Sequence, residues 1–326
     1  MNASYYGRLF LLCAEVFFLV HFLLAVIVSL LTPYALNAAT QMRAGRAAKF
    51  LFSLRLLPVL ASLFAVLTFC VPSYLLLEPF QGTERVGLLC LLFVAILAAQ
   101  WCSSVFRSCN AVLKSWRYLL ACQKAALIRQ VPGEPSTIWE IPGQIPFLAV
   151  AGLARHQFIA SGKVIDLLSP DELQVALQHE RAHATSLDNL KHLVFLALPG
   201  VLPGLHGFRK LEQAWSSFAE RSADDAATAG DPHRGVLLAA ALVRIAKFQQ
   251  PSQSQPLLSC IITDGSELAS RVSHLLGRST QSTPVTRLLE LALLLVTASP
   301  VVLSAILFTQ PQLMKQAFEL LEHSLR

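Results

Sequence analysis

Three long apolar runs crowd the first third of the chain, roughly Leu9 to Leu31, Leu51 to Leu77 and Val86 to Val105, and a fourth lies at Leu288 to Phe308. Each is near the roughly 20 residues that a helix needs to cross a hydrocarbon core. The first run exceeds the about 7–15 residues of a signal-peptide core, and no small-residue cleavage site leads from it into a polar domain, so it reads as a retained anchor. Between the third and fourth runs the pattern changes. From Arg107 to about Arg129, apolar and basic residues alternate at helical spacing, which predicts a span that continues into the cytoplasm or a helix lying along the interface. Pro132, Pro135, Pro142 and Pro146 then break any helix and mark a boundary. Phe147 to Leu153 and Gln157 to Ala160 are apolar runs of strand length punctuated by glycine.

A helix start follows at Ser169-Pro170-Asp171-Glu172, where Ser169 as N-cap, Pro170 at the first helical position and Glu172 at the third make a capping box. A polar break at Gln250 to Pro256 separates the later helical region from the segment around Arg271. The apolar run from Leu193 to Leu205 is interrupted by Pro199-Gly200 and Pro203-Gly204 and falls short of a span, so it predicts a re-entrant or interfacial hairpin. The expected fold is therefore mainly α: a multi-pass membrane protein of about four transmembrane helices, with a small α+β domain inserted between the third and fourth. Residues 1–125 form the three-span region with its basic juxtamembrane helix, 126–284 the inserted domain, and 285–326 the fourth span and tail.

Composition sharpens this picture. With 54% hydrophobic and 14% charged residues, the chain is too apolar for an ordinary soluble surface. Arg43, Arg46 and Lys49 follow the first span, and Arg107, Lys114, Arg117, Lys124 and Arg129 follow the third, whereas the second loop offers only Arg85. Basic loops stay on the cytoplasmic side, so the N-terminus is expected outside and the inserted domain inside, in a cell (inner) membrane. The net charge of +6 suits anionic headgroups, and no basic stripe interleaved with aromatics suggests a nucleic-acid partner. Seven scattered cysteines form no C-x-x-C pair and read as small buried hydrophobes. Glu15 and His21, within the first run, are expected to make polar contacts between spans. Arg55 and Glu290, near span ends, are expected at the interface, with Arg55 snorkelling to reach it.

The candidate chemistry centres on His179-Glu180-Arg181-Ala182-His183. On a helix, His179 and His183 project from one face a turn apart, so both imidazoles can reach one zinc ion at about 2.0–2.1 Å. Glu180 beside them suits a general base that deprotonates a water activated by the metal. A surface helix with incidental histidines is the competing reading. A catalytic zinc needs a third protein ligand, and Glu220 is the candidate. Asp224, one turn after Glu220, can accept the free ring N–H of a ligating histidine, and Asp188 can do the same or cap the helix. Asp224 also admits a structural role without metal contact, and Asp188 one in packing. His206, His233 and Arg271 are candidates for a transition-state donor, each also readable as a surface or packing residue.

The sequence Ser169-Pro170-Asp171-Glu172-Leu173 leading into Leu177-Gln178-His179-Glu180-Arg181-Ala182-His183, then Asp188-Asn189-Leu190, and later Glu220-Arg221-Ser222-Ala223-Asp224, closely resembles the membrane metallopeptidases of the BlaR/MecR antirepressor type, relatives of the CAAX-prenyl and HtpX-type peptidases. The resemblance covers roughly Pro146 to Ala227. It implies a gluzincin with zinc held by His179, His183 and Glu220 and with Glu180 as catalytic base. It also implies that Gln157, Phe158, Ile159 and Ala160 form the edge strand on which an extended substrate pairs its backbone. Two departures stand out. The sensor relatives carry a penicillin-binding domain after the last span where this chain ends at Arg326, so antibiotic sensing by that route is not expected. Arg271, in Ala269-Ser270-Arg271-Val272, matches the late arginine motif of the prenyl-peptidase relatives, but the His-Pro that precedes it there is absent.

The expectation is a membrane-embedded zinc endopeptidase that cleaves a protein or peptide by direct attack of water, with a membrane-proximal segment as the expected substrate. The competing class is a signalling scaffold whose zinc domain binds a partner with negligible turnover. A transporter would need more spans and more paired intramembrane charges.

Overall fold

The computed structural model describes residues 5–77, 87–130, 137–153, 156–200, 207–248, 258–260 and 265–277. The chain is mostly helical, with one small mixed sheet. Three helices are long and apolar enough to cross a membrane: α1 (Tyr5–Thr40), the α2 (Ala44–Ala65) to α3 (Val71–Leu77) run joined by a π-helical turn at Val66–Cys70, and α4 (Leu88–Ala125). All three outrun their apolar stretches. α4 in particular continues without a break for 38 residues, so the basic segment after the third run is part of the span's own helix. The expected fourth span lies outside the described residues, as do His206 and Glu290.

The strands are β1 (Leu127–Arg129), β2 (Ile138–Ile141), β3 (Leu148–Ala151), β4 (Gln157–Ser161) and β5 (Leu258–Cys260), in spatial order β1-β2-β4-β3-β5. β3 and β4 are the strand-length runs of the sequence. β4 is not the edge strand expected for Gln157 to Ala160: it pairs in parallel with β2 on one side and antiparallel with β3 on the other, so its backbone groups are already used within the sheet. β5 lies along the other flank of β3, with Ser259 opposite Val150.

The remaining helices are α5 (Gly162–Leu167), α6 (Pro170–Ser186), α7 (Asp188–Ala197), α8 (Gly207–Thr228), α9 (Pro232–Ala246) and α10 (Gly265–Leu275). The capping box starts α6: Ser169 N–H donates to Glu172 Oε2 at 2.9 Å and Glu172 N–H to Ser169 Oγ at 3.3 Å. Leu187 ends it in the left-handed region, φ 57°, and starts α7 at once. α7 has ten residues, about 15 Å of helix, and cannot cross a bilayer.

Two cores flank the site helices. One packs β2, β3 and β4 against α6 and α9 through residues such as Ile138, Val150, Leu173, Leu177, Leu238 and Leu242. The other packs α8, through Phe208, Leu211, Trp215, Phe218 and Ala219, against α1, α2 and α7. The spacing of those α8 residues makes one apolar face of a helix, and that face rests on the spans. Close approach is built in: a Cβ on Gly207 would lie 2.5 Å from Ser29 Cα of α1.

Arg55 does not snorkel to the interface. It is 2% exposed, its Nε donates to Glu212 Oε1 of α8 at 2.8 Å and its Nη2 to the Pro199 carbonyl at 3.3 Å, and its guanidinium lies 4.1 Å over the Phe208 ring. A buried partner on α8 and a desolvated ring offer the guanidinium more than a bent path to water does. Glu15 and His21 are buried in the bundle, and His21 stacks on Phe17. The cysteines are not uniformly buried: Cys102 and Cys109 are exposed on α4.

Candidate metal centre

His179 and His183 stand one turn apart on α6, fully enclosed at 0% and 3% exposure. Their Nε2 atoms face each other at 3.1 Å. α8 crosses α6 and brings Glu220 to them, with Oε2 at 3.5 Å from His179 Nε2 and Oε1 at 3.5 Å from His183 Nε2. Each histidine turns its other ring nitrogen to a carboxylate: His179 Nδ1 lies 3.0 Å from Asp224 Oδ1, and His183 Nδ1 lies 2.8 Å from Asp188 Oδ2. Those acceptors favour the proton on Nδ1 and so leave the Nε2 lone pairs aimed at the centre. Two imidazole lone pairs and a carboxylate pointing at one another are mutually repulsive until a cation joins them.

The three residues could therefore hold a metal ion. Bonds of about 2.0–2.2 Å in a tetrahedron separate ligand atoms by about 3.3–3.6 Å; the two Nε2 atoms stand 3.1 Å apart, each lies 3.5 Å from a different Glu220 oxygen, and one ligand atom from each residue falls within 4.8 Å of the others. Two nitrogen donors with one carboxylate suit a transition-series ion or zinc rather than calcium or magnesium, which take oxygen ligands.

The surroundings are strongly polar for so buried a place. Burial works against charge on His179, yet Asp224 and Glu220 hold its pKa above the usual imidazole value. His183 is held well above that value, because Glu220 and Asp188 outweigh its burial. Burial pushes Glu220 and Asp224 upward, but His183 and Arg271 hold the first well below the carboxylate range, and His179 and Arg271 hold the second below it. Glu180 differs. Burial raises its carboxyl to about 7 against the opposing charges of His179 and His183. Its Oε2 accepts the Val150 N–H of β3 at 2.8 Å, and its Oε1 has no hydrogen-bond partner among the described residues. That oxygen is left able to take a proton.

Arg271 of α10 is buried, and its guanidinium forks onto Asp224, with Nε to Oδ2 at 2.8 Å and Nη2 to Oδ1 at 2.6 Å, while Nη1 lies 2.9 Å from Glu220 Oε2. With all three nitrogens engaged by carboxylates, it positions the ligand helix and is not presented as a transition-state donor. His233 is exposed at the start of α9, where its backbone N–H caps onto Asp231, and the structure does not bring it to the metal residues. Two supporting residues carry no assigned role in the sequence reading. Asn189 donates through Nδ2 to the Val150 and Gly152 carbonyls at 3.1 Å each, tying β3 to the start of α7, and Lys191 Nζ pairs with Asp188 Oδ1 at 2.9 Å. The position of Asn189 just after the histidine helix was the only available hint. Comparison with family models, with curated proteins and with solved structures gives no match to this chain.

Proposed function

We propose that the chain is a membrane-embedded zinc metalloendopeptidase of the BlaR/MecR-type kind, acting at the cytoplasmic face of a four-span cell-membrane protein. One observation carries the reading: the convergence of His179, His183 and Glu220 on one point beside a buried carboxyl, Glu180, that keeps a free oxygen. A scaffold that only bound metal would have no need of that base.

His179, His183 and Glu220 would hold the ion, which when bound supplies a Lewis acid that polarises the scissile carbonyl and acidifies water. Glu180 takes a proton from the attacking water at Oε1 and returns it to the departing amine. Burial, which raises the Glu180 carboxyl, suits a group that must both take and return a proton. Asp224 and Asp188 fix the histidine rings, and Arg271 fixes Asp224 and Glu220. Val150 N–H holds the other Glu180 oxygen, which aims Oε1. The packing of α8 on the spans keeps the site near the bilayer, so the reading favours membrane-proximal protein segments as substrates.

The test is metal content and cleavage of casein, or of the chain itself, by detergent-purified protein. Glu180→Gln is expected to keep zinc and lose cleavage by about 10²–10⁴-fold, and Glu220→Ala to lose both. Zinc without any Glu180-dependent cleavage would favour the scaffold, and failure to bind zinc would sink both readings.

A further inference from the structure

Cys13 of α1 and Cys70 of the π-helical turn are free thiols whose Sγ atoms stand 3.7 Å apart, although 57 positions separate them in the chain. They lie in the half of the bundle remote from α8. The cluster that encloses them packs Leu12 and Val16 of α1 against Val66, Cys70 and Tyr74, whereas α8 rests on Ala25 and Val28 of α1 and on Leu51 and Leu54 of α2. Two features hold the sulfurs side by side. The Val71 N–H reaches back to the Val66 carbonyl, so the helix is widened by one residue where Cys70 stands, and a single π turn inside an α-helix is frequently a functional site. One turn further on, Tyr74 OH donates to the Tyr5 carbonyl at 3.0 Å and the two tyrosine rings lie 4.9 Å apart, which pins the ends of both helices next to the thiols. The two sulfurs differ in access: Cys70 is 1% exposed, while Cys13 is only half-buried, so one is open to a reagent and the other is shielded.

We propose that Cys13 and Cys70 are a redox-active pair, closed to a disulfide by a lipid-soluble quinone, and that the bond staples the first long helix to the second. An S–S bond is about 2.05 Å, so the sulfurs must approach by about 1.7 Å. That movement falls on the two side-chain torsions and on the widened turn at Val66–Cys70, and leaves the long helices in place. The oxidant's class follows from the surroundings. The pair sits among apolar side chains of two helices long enough to cross a membrane, where a charged aqueous oxidant such as glutathione disulfide is strongly disfavoured and an uncharged quinone is not. In the net step two S–H bonds break and one S–S bond forms. The two electrons and two protons pass to the quinone, which leaves as the quinol. The bond closes a loop that contains the whole of the α1–α2 contact and restricts how far the two helices can part. This pair needs neither the metal nor the peptidase reading.

The test uses native membranes holding the full chain, reduced, washed and then exposed to a short-chain ubiquinone analogue. Remaining thiols are trapped with N-ethylmaleimide in denaturant, and the peptides are weighed before and after dithiothreitol. Cys13 and Cys70 are expected to lose alkylation together and to appear in one joined peptide pair, two hydrogens lighter than the separate peptides and released by dithiothreitol. Cys90, buried on α4, should remain fully alkylated and serves as the control for unselective oxidation. Cys13→Ala and Cys70→Ala should each return the remaining thiol of the pair to full alkylation, and the elution volume of each variant checks that it folds. The oxidised chain should melt at a higher temperature than the reduced one, and the difference should vanish in Cys13→Ala. Thiols at 13 and 70 that stay alkylated at saturating quinone overturn the proposal and leave only a packing contact between two sulfurs. Loss of Cys90 to the same extent overturns it as well, and a bond that forms without raising the melting temperature overturns the staple.

Discussion

Asp224 is fully buried and serves two partners at once, His179 Nδ1 at 3.0 Å and the Arg271 fork at 2.6 and 2.8 Å. Asp224→Asn keeps the shape but removes the charge and turns one acceptor into a donor. The new amide N–H₂ must then face either the imidazole N–H or a guanidinium N–H. The loss of one charge-assisted bond, about 1.5–3 kcal/mol, and of a partner for one buried donor, about 1–3 kcal/mol, together approach the about 3–5 kcal/mol typical of breaking a buried ion pair. Part of this appears in metal binding, because His179 loses the group that fixes its ring. A partner of this kind is worth about 10–100-fold in affinity, or about 1.4–2.7 kcal/mol. The assay is competition for zinc against a chromophoric chelator in detergent, with elution volume as a check on folding. Glu180→Gln serves as the control expected to retain affinity. An Asp224→Asn protein that stays folded and binds zinc within about two-fold of the unaltered chain would refute this account of the site.

Protons compete with the metal. Because His179 and His183 titrate above the usual imidazole value, their charged forms stabilise the metal-free fold below that value, and this contribution is lost as pH rises through the folded pKa values. Thermal stabilisation by added zinc is therefore expected to grow from about pH 6 to about pH 8, and a larger effect at the acidic end would contradict the assignment. Gly207→Ala places a methyl 2.5 Å from the Ser29 Cα, a backbone atom that cannot swing away, and should cost about 1–3 kcal/mol, whereas Gly200→Ala meets nothing within 4 Å and should be near neutral. Equal melting temperatures for the two variants would count against the close packing of α1 on α8.

What was legible in the sequence was local. The capping box and the apolar runs act within one helix, so α6 and the three long helices could be placed from residue order alone. His179 with His183, and Glu220 with Asp224, are pairs one turn apart, and helical geometry puts each pair on one face whatever the rest of the chain does. Roles that depend on distant chain were not legible. Arg271 meets Asp224 across 47 residues and Arg55 meets Glu212 across 157, and no local rule links them. The central place of β4 is illegible for the same reason. Whether a strand is central depends on its neighbours, and here they include Ile138–Ile141, set among helix-breaking prolines. The exposure of Cys102 and Cys109 follows from which side of α4 the remaining spans cover, which only the tertiary packing decides.

The arrangement gives the metal site two anchors of different kinds. α6 brings both histidines from the sheet core, and α8 brings Glu220 from the span core, so the distance between ligands is set where the two cores meet. On the α8 side a polar tie to the spans is Arg55 with Glu212. The two ends of this pair are not equivalent. The Arg55 side chain is 3% exposed, but that of Glu212 is 33% exposed. Arg55→Met leaves a carboxylate that can still reach water and replaces the guanidinium by an apolar chain over Phe208, so it should cost little, on the order of 1 kcal/mol. Glu212→Gln strands a guanidinium in an apolar bundle and should cost about 3–5 kcal/mol. If α8 takes its position from this tie, Glu212→Gln also displaces Glu220 and lowers zinc affinity, while the histidines on α6 stay in place. Melting curves and zinc titration of the two single variants decide the matter. A more severe loss in Arg55→Met than in Glu212→Gln, or a Glu212→Gln protein that melts early yet binds zinc as tightly as the unaltered chain, would mean that the spans do not set the position of the third ligand.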